Sequence, residues 1–241
     1  MTPLLAALAL IPQAPTDADA LIAKALAKGK AAHSARGRVH WTISAEGQSA
    51  GLDTEFAFQD SSLVYVRQFN DHGQWFLVSD GVKFCYQPPE NLRIFAHAGD
   101  RLLEPVNQRG IVLGYRDIYE AGATGLRDRN VFLETAIARP ADLQLRRDQW
   151  VNAKIVGEQA IDGKKTLRIE GGLRLARTAP ARDHFALWLT EDGAILRYQE
   201  IAVVPRENPA NGKLVPITVT SVWQGEVEFD VALDKSIFTL P

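Results

Sequence analysis

The stretch RVHWTISAEGQSAGLDTEFAFQDSSLVYVRQFNDHGQWFLVSDGVKFCYQPPENLRIFAH, from Arg38 to His97, repeats its apolar residues with a period of two. Val39, Trp41 and Ile43 alternate with His40 and Thr42, the pattern of a strand with one buried face. TEFAFQ, LVYVRQF, QWFLVS, VKFCYQ and LRIFAH follow in order, separated at hairpin spacing by the turn-forming clusters QDSS, NDHG, SDG and PPEN. The chain reads here as an antiparallel meander.

Upstream, Thr16 and Asp17 stand at the head of DADALIAKALAKGKAAHSA. Leu21, Ile22, Ala25 and Leu26 share one helical stripe there, with acids early and lysines late, which predicts a capped amphipathic helix ending between Gly29 and Gly37. Earlier still, the apolar run Leu4 to Ile11 is followed by small residues and proline, like the hydrophobic core and cleavage zone of a signal peptide, although no basic residues precede it. The run is too short to span a bilayer. Residues 1–15 are therefore expected to direct export, an ordinary buried N-terminal segment being the alternative. No cysteine follows the run to accept a lipid, so a soluble chain without an anchor is expected.

Downstream, the alternation stops between Gly99 and Trp150. GDRLLEPVNQRGIVLGYRDIYEAG spaces its apolar residues three and four apart, which predicts one or two helices whose limits are blurred by Pro105, Gly110 and Gly114. The strand pattern returns with VNAKIVGEQAI and TLRIEGGLRLA around an Asp162-Gly163 turn. The hairpin DHFALWLTEDGAILRYQEIAVV, closed at Asp192-Gly193, puts Phe185, Leu187 and Leu189 on one face and Ala186 and Trp188 on the other. Residues 205–216, PRENPANGKLVP, read as an exposed loop, and ITVTSVWQ and GEVEFDVAL as the last strands.

About eleven strands, one helix before them and a helical insertion predict a mainly β, α+β protein. The expected architecture is a single large curved antiparallel sheet forming an unclosed barrel lidded by helices, with residues 16–241 as one domain. The apolar concave face of such a sheet is filled either by the helices or by a ligand.

Composition narrows the function. Apolar residues at 46% and charged residues at 23% are ordinary for a globular core. The 27 basic and 29 acidic residues are interspersed, leaving a net charge of -2 and no basic stripe, so nucleic acid is not an expected partner. The single cysteine, Cys85, lies in strand-like KFCYQ and reads as a small buried hydrophobe.

No catalytic constellation is legible. Gly47 to Gly51, GQSAG, matches the nucleophile-elbow pattern with Ser49 at its centre, but that elbow joins a strand to a helix, and strand-like segments flank the motif on both sides. It reads as a glycine-rich hairpin loop. His33, His40, His72, His97 and His184 lack metal-ligand spacing, and the neighbours Asp183 and His184 point to opposite faces of a strand. Glu226, Glu228 and Asp230, like Asp53 and Glu55, read as solvated outer faces, with Val227, Phe229 and Phe56 turned inward. No phosphate-binding or dinucleotide motif occurs. The expectation is a protein without enzyme activity, cofactor or metal.

The first half of the sheet is rich in aromatics: Trp41, Phe56, Phe58, Tyr65, Phe69, Trp75, Phe84, Tyr86 and Phe95. An ordinary core would explain them, and so would the wall of a hydrophobic cavity.

The order of elements resembles the outer-membrane lipoprotein carrier superfamily, the LolA-like and LolB-like periplasmic proteins. The likeness rests on ALIAKALAKGKAAHSARGRVHWTIS, VSDGVKFCYQPPENLRIF, VGEQAIDGKKTLRIEG, LWLTEDGAILRYQE and FDVALDKSIFTLP, and covers nearly the whole chain. The resemblance implies an unclosed, helix-lidded barrel whose cavity holds acyl chains of a lipid or lipoprotein, and no enzyme activity. It further implies a periplasmic monomer, an envelope protein as donor or acceptor, and transient membrane contact. The expected ligand-binding wall is Trp41, Phe56, Phe58, Tyr65, Trp75 and Phe84, and Arg38 and Arg67 are the candidates for the family's cavity arginine. A second function open at this point is a regulatory interaction module, similar to the periplasmic anti-sigma-factor-binding proteins of the same fold, that senses a lipid and binds a partner protein.

Overall fold

The computed structural model describes residues 17–60, 63–87, 94–97, 101–103, 110–112, 131–137, 140–174, 183–207 and 211–240. The expected signal segment, residues 1–15, lies outside them. Helix α1 (Ala18–Ala31) begins where the sequence places it: the Asp17 side chain accepts the Asp19 N–H at 3.0 Å and satisfies one orphan donor of the first turn. It buries Leu21, Ile22, Ala25, Leu26 and Gly29.

The meander follows as β1 (Ser34–Ala45), β2 (Gln48–Gln59), β3 (Leu63–Asn70), β4 (Gly73–Asp80), β5 (Lys83–Gln87) and β6 (Ile94–His97). β1 and β2 meet at Glu46-Gly47, with φ of 50° and 78°. This two-residue turn matches the right-handed twist of the strands it joins. Ser49 therefore lies within β2, opposite Ser44, and the expected glycine-rich loop is in fact paired strand.

The next segment corrects the sequence reading. Arg101–Leu103 (β7) and Gly110–Val112 (β8) pair antiparallel as a separate two-stranded sheet inside a stretch whose spacing predicted helix. Pro105 prevents continuous helical pairing, and the β-branched Ile111 and Val112 favour the extended form. The one or two helices expected between Gly99 and Trp150 do occur, nearer its end, as α2 (Val131–Ile137) and α3 (Pro140–Gln149).

The second meander is β9 (Trp150–Ile161), β10 (Lys164–Leu173), β11 (Asp183–Leu189), β12 (Ile195–Glu207) and β13 (Leu214–Phe229), ending in a 3₁₀ turn over Lys235–Phe238. The expected loop at 205–216 is mostly strand: Pro205 sits opposite Pro216 and Glu207 opposite Leu214, so the two strands extend as a ribbon. The ribbon runs past the last partners that β1 and β11 offer, Ala45↔Val219 and His184↔Ile201, where missing proline N–H groups cost no ladder bond to a further strand.

Eleven strands form one antiparallel sheet in the order β6-β5-β4-β3-β2-β1-β13-β12-β11-β10-β9. The last strand thus returns to the first, and among the described residues β6 and β9 remain separate edges, so the barrel is unclosed. The register defines two faces. The inner face carries Ala35, Val39 and Trp41 of β1, Phe56 and Phe58 of β2, Val66 of β3, Leu77 of β4, Tyr198 of β12 and Trp223 of β13. The three helices pack on it, chiefly against β1, β2, β9 and β13, and Ile22, Val39, Phe132, Leu133 and Ile169 are fully buried between the layers. The outer face is charged, with Arg36 against Glu228, Arg38 near Asp53 and Glu55, and Lys164 on Glu226. Two parts of it are apolar: Ala57, Val78 and Cys85 lie in one register row with Tyr65 and are buried, with the C-terminal turn and buried Phe238 packed against β3 and β4, and Ile161, Ala186, Trp188 and Leu196 form a second buried cluster.

Two contacts dock α1. Gly29 lies so close to α2 that a Cβ would stand 1.7 Å from the Thr135 carbonyl oxygen. Lys28 pairs with Asp192 in the turn between β11 and β12. Gly29→Ala is expected to destabilise the protein by about 1–3 kcal/mol in urea unfolding, against the helix-propensity gain, because α1 must move off α2. The hydrogen bonds from Lys28 and Thr190 hold the Asp192 carboxyl down to about 2 from its ordinary 3.8. A lowered carboxylate pKa contributes stability above its unfolded value and loses it as pH falls through the folded one. The protection factors of the α1 amides, exchange rates taken relative to the intrinsic rate at each pH, are therefore expected to fall between about pH 4 and pH 2. Asp192→Asn should exchange faster at neutral pH and show no such transition.

Candidate functional site

A row of rings crosses the inner face, set by the register. Trp41 of β1 stacks on its partner Trp223 of β13 at 6.2 Å, and Trp223 stacks on Tyr198 of β12 at 5.3 Å. Tyr198 meets Trp150 at 5.6 Å, and Trp150 stacks on Phe185 of β11 at 5.4 Å.

Next to the row lies a buried ionic network that the sequence reading did not single out. Arg146 of α3 donates to both carboxylate oxygens of Glu134 of α2, at 2.8 and 3.0 Å, and reaches Glu200 of β12 at 3.3 Å. The Tyr198 hydroxyl donates to Glu200 at 2.5 Å and accepts the Trp150 indole N–H at 3.1 Å. Burial disfavours the Arg146 charge. The Glu134 carboxylate, with Tyr198 and Glu200, outweighs burial and holds the guanidinium pKa above its ordinary value. Burial first, and then Glu200, push the Tyr198 hydroxyl well above its usual range, so it stays a neutral donor. The group carries two carboxylates and one cation, and it ties two helices to the sheet.

At this end the helices leave no room. The crevice bounded by Ala25, Phe132, Thr135, Ile195, Val227 and Phe229 has a volume of about 10 Å³, at most one water. Toward the turn between β1 and β2 the inner face opens. Burial falls from Val39, Leu52, Tyr198 and Trp223, all buried, to Trp41, Ile43, Ala202, Ile217 and Val219, all half-buried, and then to exposed Val204 and Val215. Among the described residues this apron is mostly apolar: Ser221, Glu200 and Gln48 share its face, and Arg206, opposite Val215 and paired with Glu46, closes its far end. At its inner margin the Trp41 indole Nε1 is shielded from solvent and has no acceptor among the described residues.

Of the six expected wall residues, Trp41, Phe56, Phe58 and Trp75 share the inner face, with Phe56 and Phe58 in ring contact at 5.7 Å and Trp75 buried. Phe84 holds the register position opposite Ser79. Tyr65 is a correction. Its neighbours Val64 and Val66 take the inner positions, so alternation turns it outward, opposite Ala57, where it lines a groove of about 380 Å³ with Arg36, Glu55 and Ile237. The candidates for a cavity arginine are corrected likewise: Arg38 and Arg67 both stand near Glu55 on the outer face, and a buried arginine, Arg146 of α3, lies on the inner side. Arg38 directly precedes inward-facing Val39, so strand parity already turned it outward. Arg146 carried no such signal, because its partners are 12 and 54 residues away.

Ser49 lies exposed near the end of the β1–β2 hairpin, and Asp183 accepts the Val203 N–H at 3.0 Å while His184 is exposed. Among the described residues no group of three or more metal-ligating side chains converges, and no helix is long and apolar enough to cross a membrane.

No family model matches the chain, and no curated protein matches it. Among solved structures it is similar to the MucA/MucB complex of Pseudomonas aeruginosa, at 14% identity and a TM-score of 0.46, over 94% of this chain and 62% of that one. The chain thus spans about three fifths of the length of that protein. It is also similar to LprF from Mycobacterium bovis, at 12% identity and a TM-score of 0.44 over 92% of this chain and 97% of that one. A LolA superfamily protein from Nitrosomonas europaea is similar at 12% identity and a TM-score of 0.32, over 93% and 98% of the two chains. At these scores the likeness carries no argument about function.

Removal of Arg146 by an Arg146→Ala substitution leaves Glu134 buried without its cation. A loss of about 3–5 kcal/mol in urea unfolding is expected, far above the effect of removing Lys165 from its exposed pair with Glu158.

Proposed function

We propose that this chain is an exported, soluble binding or carrier protein that holds a hydrophobic ligand, an acyl chain of a lipid or lipoprotein, against the open end of the inner face. The observation that supports it is the gradient just described: helices pack one end of the face solidly, while the other end continues as a mostly apolar apron on which, among the described residues, no helix is docked over Ile43, Val219 or Val204. Trp41 stands at the boundary, with Leu52, Phe56, Phe58 and Trp75 as the floor behind it and Phe84 as a further wall position. Acyl burial needs no polar chemistry, since each CH₂ removed from water contributes about 0.8 kcal/mol. The protein acts without covalent steps and exchanges its cargo with an envelope protein or, transiently, a membrane.

A second reading, a regulatory module that binds a partner protein, is favoured by the other side of the β12–β13 ribbon. There Val203 and Leu214 are 54% and 69% exposed on a ribbon that leaves the sheet.

Displacement of a fluorescent fatty-acid probe by a series of acyl chains separates the two. Affinity is expected to rise about fourfold per added methylene, and Ile43→Glu or Val219→Glu should weaken it at least tenfold. No probe uptake, together with a clean mass for the protein purified from its own periplasm, would overturn the carrier reading and leave the ribbon as the functional surface.

A further inference from the structure

We propose that the outer face of β9–β12 carries a second site, which binds a phosphate group borne on an apolar body. It lies on the opposite side of the sheet from the acyl-chain site and does not rest on that reading.

The register sets Arg168, Trp188 and Arg197 in one outer-face row across β10, β11 and β12. Both guanidinium groups stand over the indole, at 5.2 and 5.0 Å from its ring centroid. Trp188 is buried and its N–H donates to Gln159 at 2.8 Å, so it is a fixed support against which the two cations are held before any ligand arrives. The next row, Lys154, Glu170, Ala186 and Gln199, runs alongside, and His184 and Ile201 pair in the row beyond. Together with Arg168 and exposed Val156 these rows line a groove of about 450 Å³, the size of a small-molecule site.

Charge defines what the groove takes. In the first meander the outer-face arginines have carboxylates: Arg36 has Glu228, and Arg38 and Arg67 share Glu55. Here three cations face one carboxylate. Glu170 pairs with Arg168, while Lys154 and Arg197 have no carboxylate partner among the described residues. The acids of the surrounding strands are engaged elsewhere: Asp162 accepts from Gln224, Glu226 pairs with Lys164, Glu158 pairs with Lys165, and Glu200 faces inward to Arg146. The Nε atoms of Arg168 and Arg197 are shielded and lack acceptors, which leaves both guanidinium groups short of compensation. A ligand meets other atoms, the outer nitrogens of Arg168, on a side chain 40% exposed, and the exposed Lys154 ammonium, with Arg197 adding to the field. A phosphate spreads its charge over several acceptor oxygens and suits a guanidinium fork and an ammonium together. Val156 and Ile201 would stay wet beneath a bare ion, so the bound molecule carries an apolar body that covers them.

Titration of isotope-labelled protein with phenyl phosphate, inorganic phosphate and benzyl alcohol tests this. Phenyl phosphate is expected to move the Trp188 indole N–H resonance, to leave those of Trp41, Trp150 and Trp223 in place, and to bind about tenfold more tightly than either control. Lys154→Gln, on an exposed position of the edge strand, should weaken phenyl phosphate about tenfold while the ligand-free Trp188 resonance stays where it is, and Arg197→Gln should weaken it in the same direction. Equal affinity for inorganic phosphate means an adventitious ion only, and equal affinity for benzyl alcohol means an apolar patch only; either overturns the proposal. So do a Trp188 resonance that phenyl phosphate leaves unmoved, shifts confined to the inner-face tryptophans, or unchanged binding by Lys154→Gln. None of these outcomes bears on acyl-chain binding at the inner face, which the fatty-acid probe reads separately.

Discussion

The pairing of β1 with β13 is the constraint on which the rest of the molecule depends. Each meander is local, built from hairpins whose strands follow one another in sequence, and neither alone surrounds the helices. The ladder from Ala35↔Phe229 to Ala45↔Val219 joins them across nearly the whole chain, so its loop entropy is met only when both halves are present. It is tightly fitted. A Cβ on Gly225 would stand 2.2 Å from the Arg38 carbonyl oxygen, and one on Gly37 would stand 2.3 Å from the Phe56 ring. Beyond the ladder's end, Asp230 accepts the His33 N–H, and Ser34 donates to the Val231 carbonyl.

This ladder also sets the two faces in phase. With Trp41 opposite Trp223, every inner position of the first meander is level with an inner position of the second, and the aromatic row and the helix-covered core become continuous. A slip by one residue would bring Arg36, Arg38 and Glu226 to the inner side. The carboxylates and cations that alternate with the core residues instead pair laterally over the outer face, where each exposed pair contributes little and together they keep the surface mixed.

The buried Arg146 group has a different role. Paired charges out of water are weak sources of stability, but they require a specific geometry, so the network places α2 and α3 at one end of the face instead of over its whole length. The asymmetry of the inner face, solid at one end and apolar but open at the other, follows from where Glu200 and Tyr198 stand on β12. Helix docking at the closed end and the ligand binding proposed for the open end are thus two uses of one surface.

Period-two alternation, turn chemistry at Asp162-Gly163 and Asp192-Gly193 and the Asp17 cap determine locally which residues form α1 and the strands, and which side of each strand is apolar. The sequence alone therefore determined a mainly β chain with an unclosed antiparallel sheet, and parity already placed Phe185, Leu187 and Leu189 together. It misread 101–112 and 205–216, where short or proline-containing strands are stabilised by partners instead of pattern, and it grouped Tyr65 with the inner aromatics by residue type against its own parity. Three features were decided only by tertiary structure: the return of β13 to β1, the convergence of Glu134, Arg146, Tyr198 and Glu200, and the unpartnered indole of Trp41. Each is a relation between residues far apart in the chain. Local propensity has no term for it, because its energy exists only once the register has brought the two strands and the helices together.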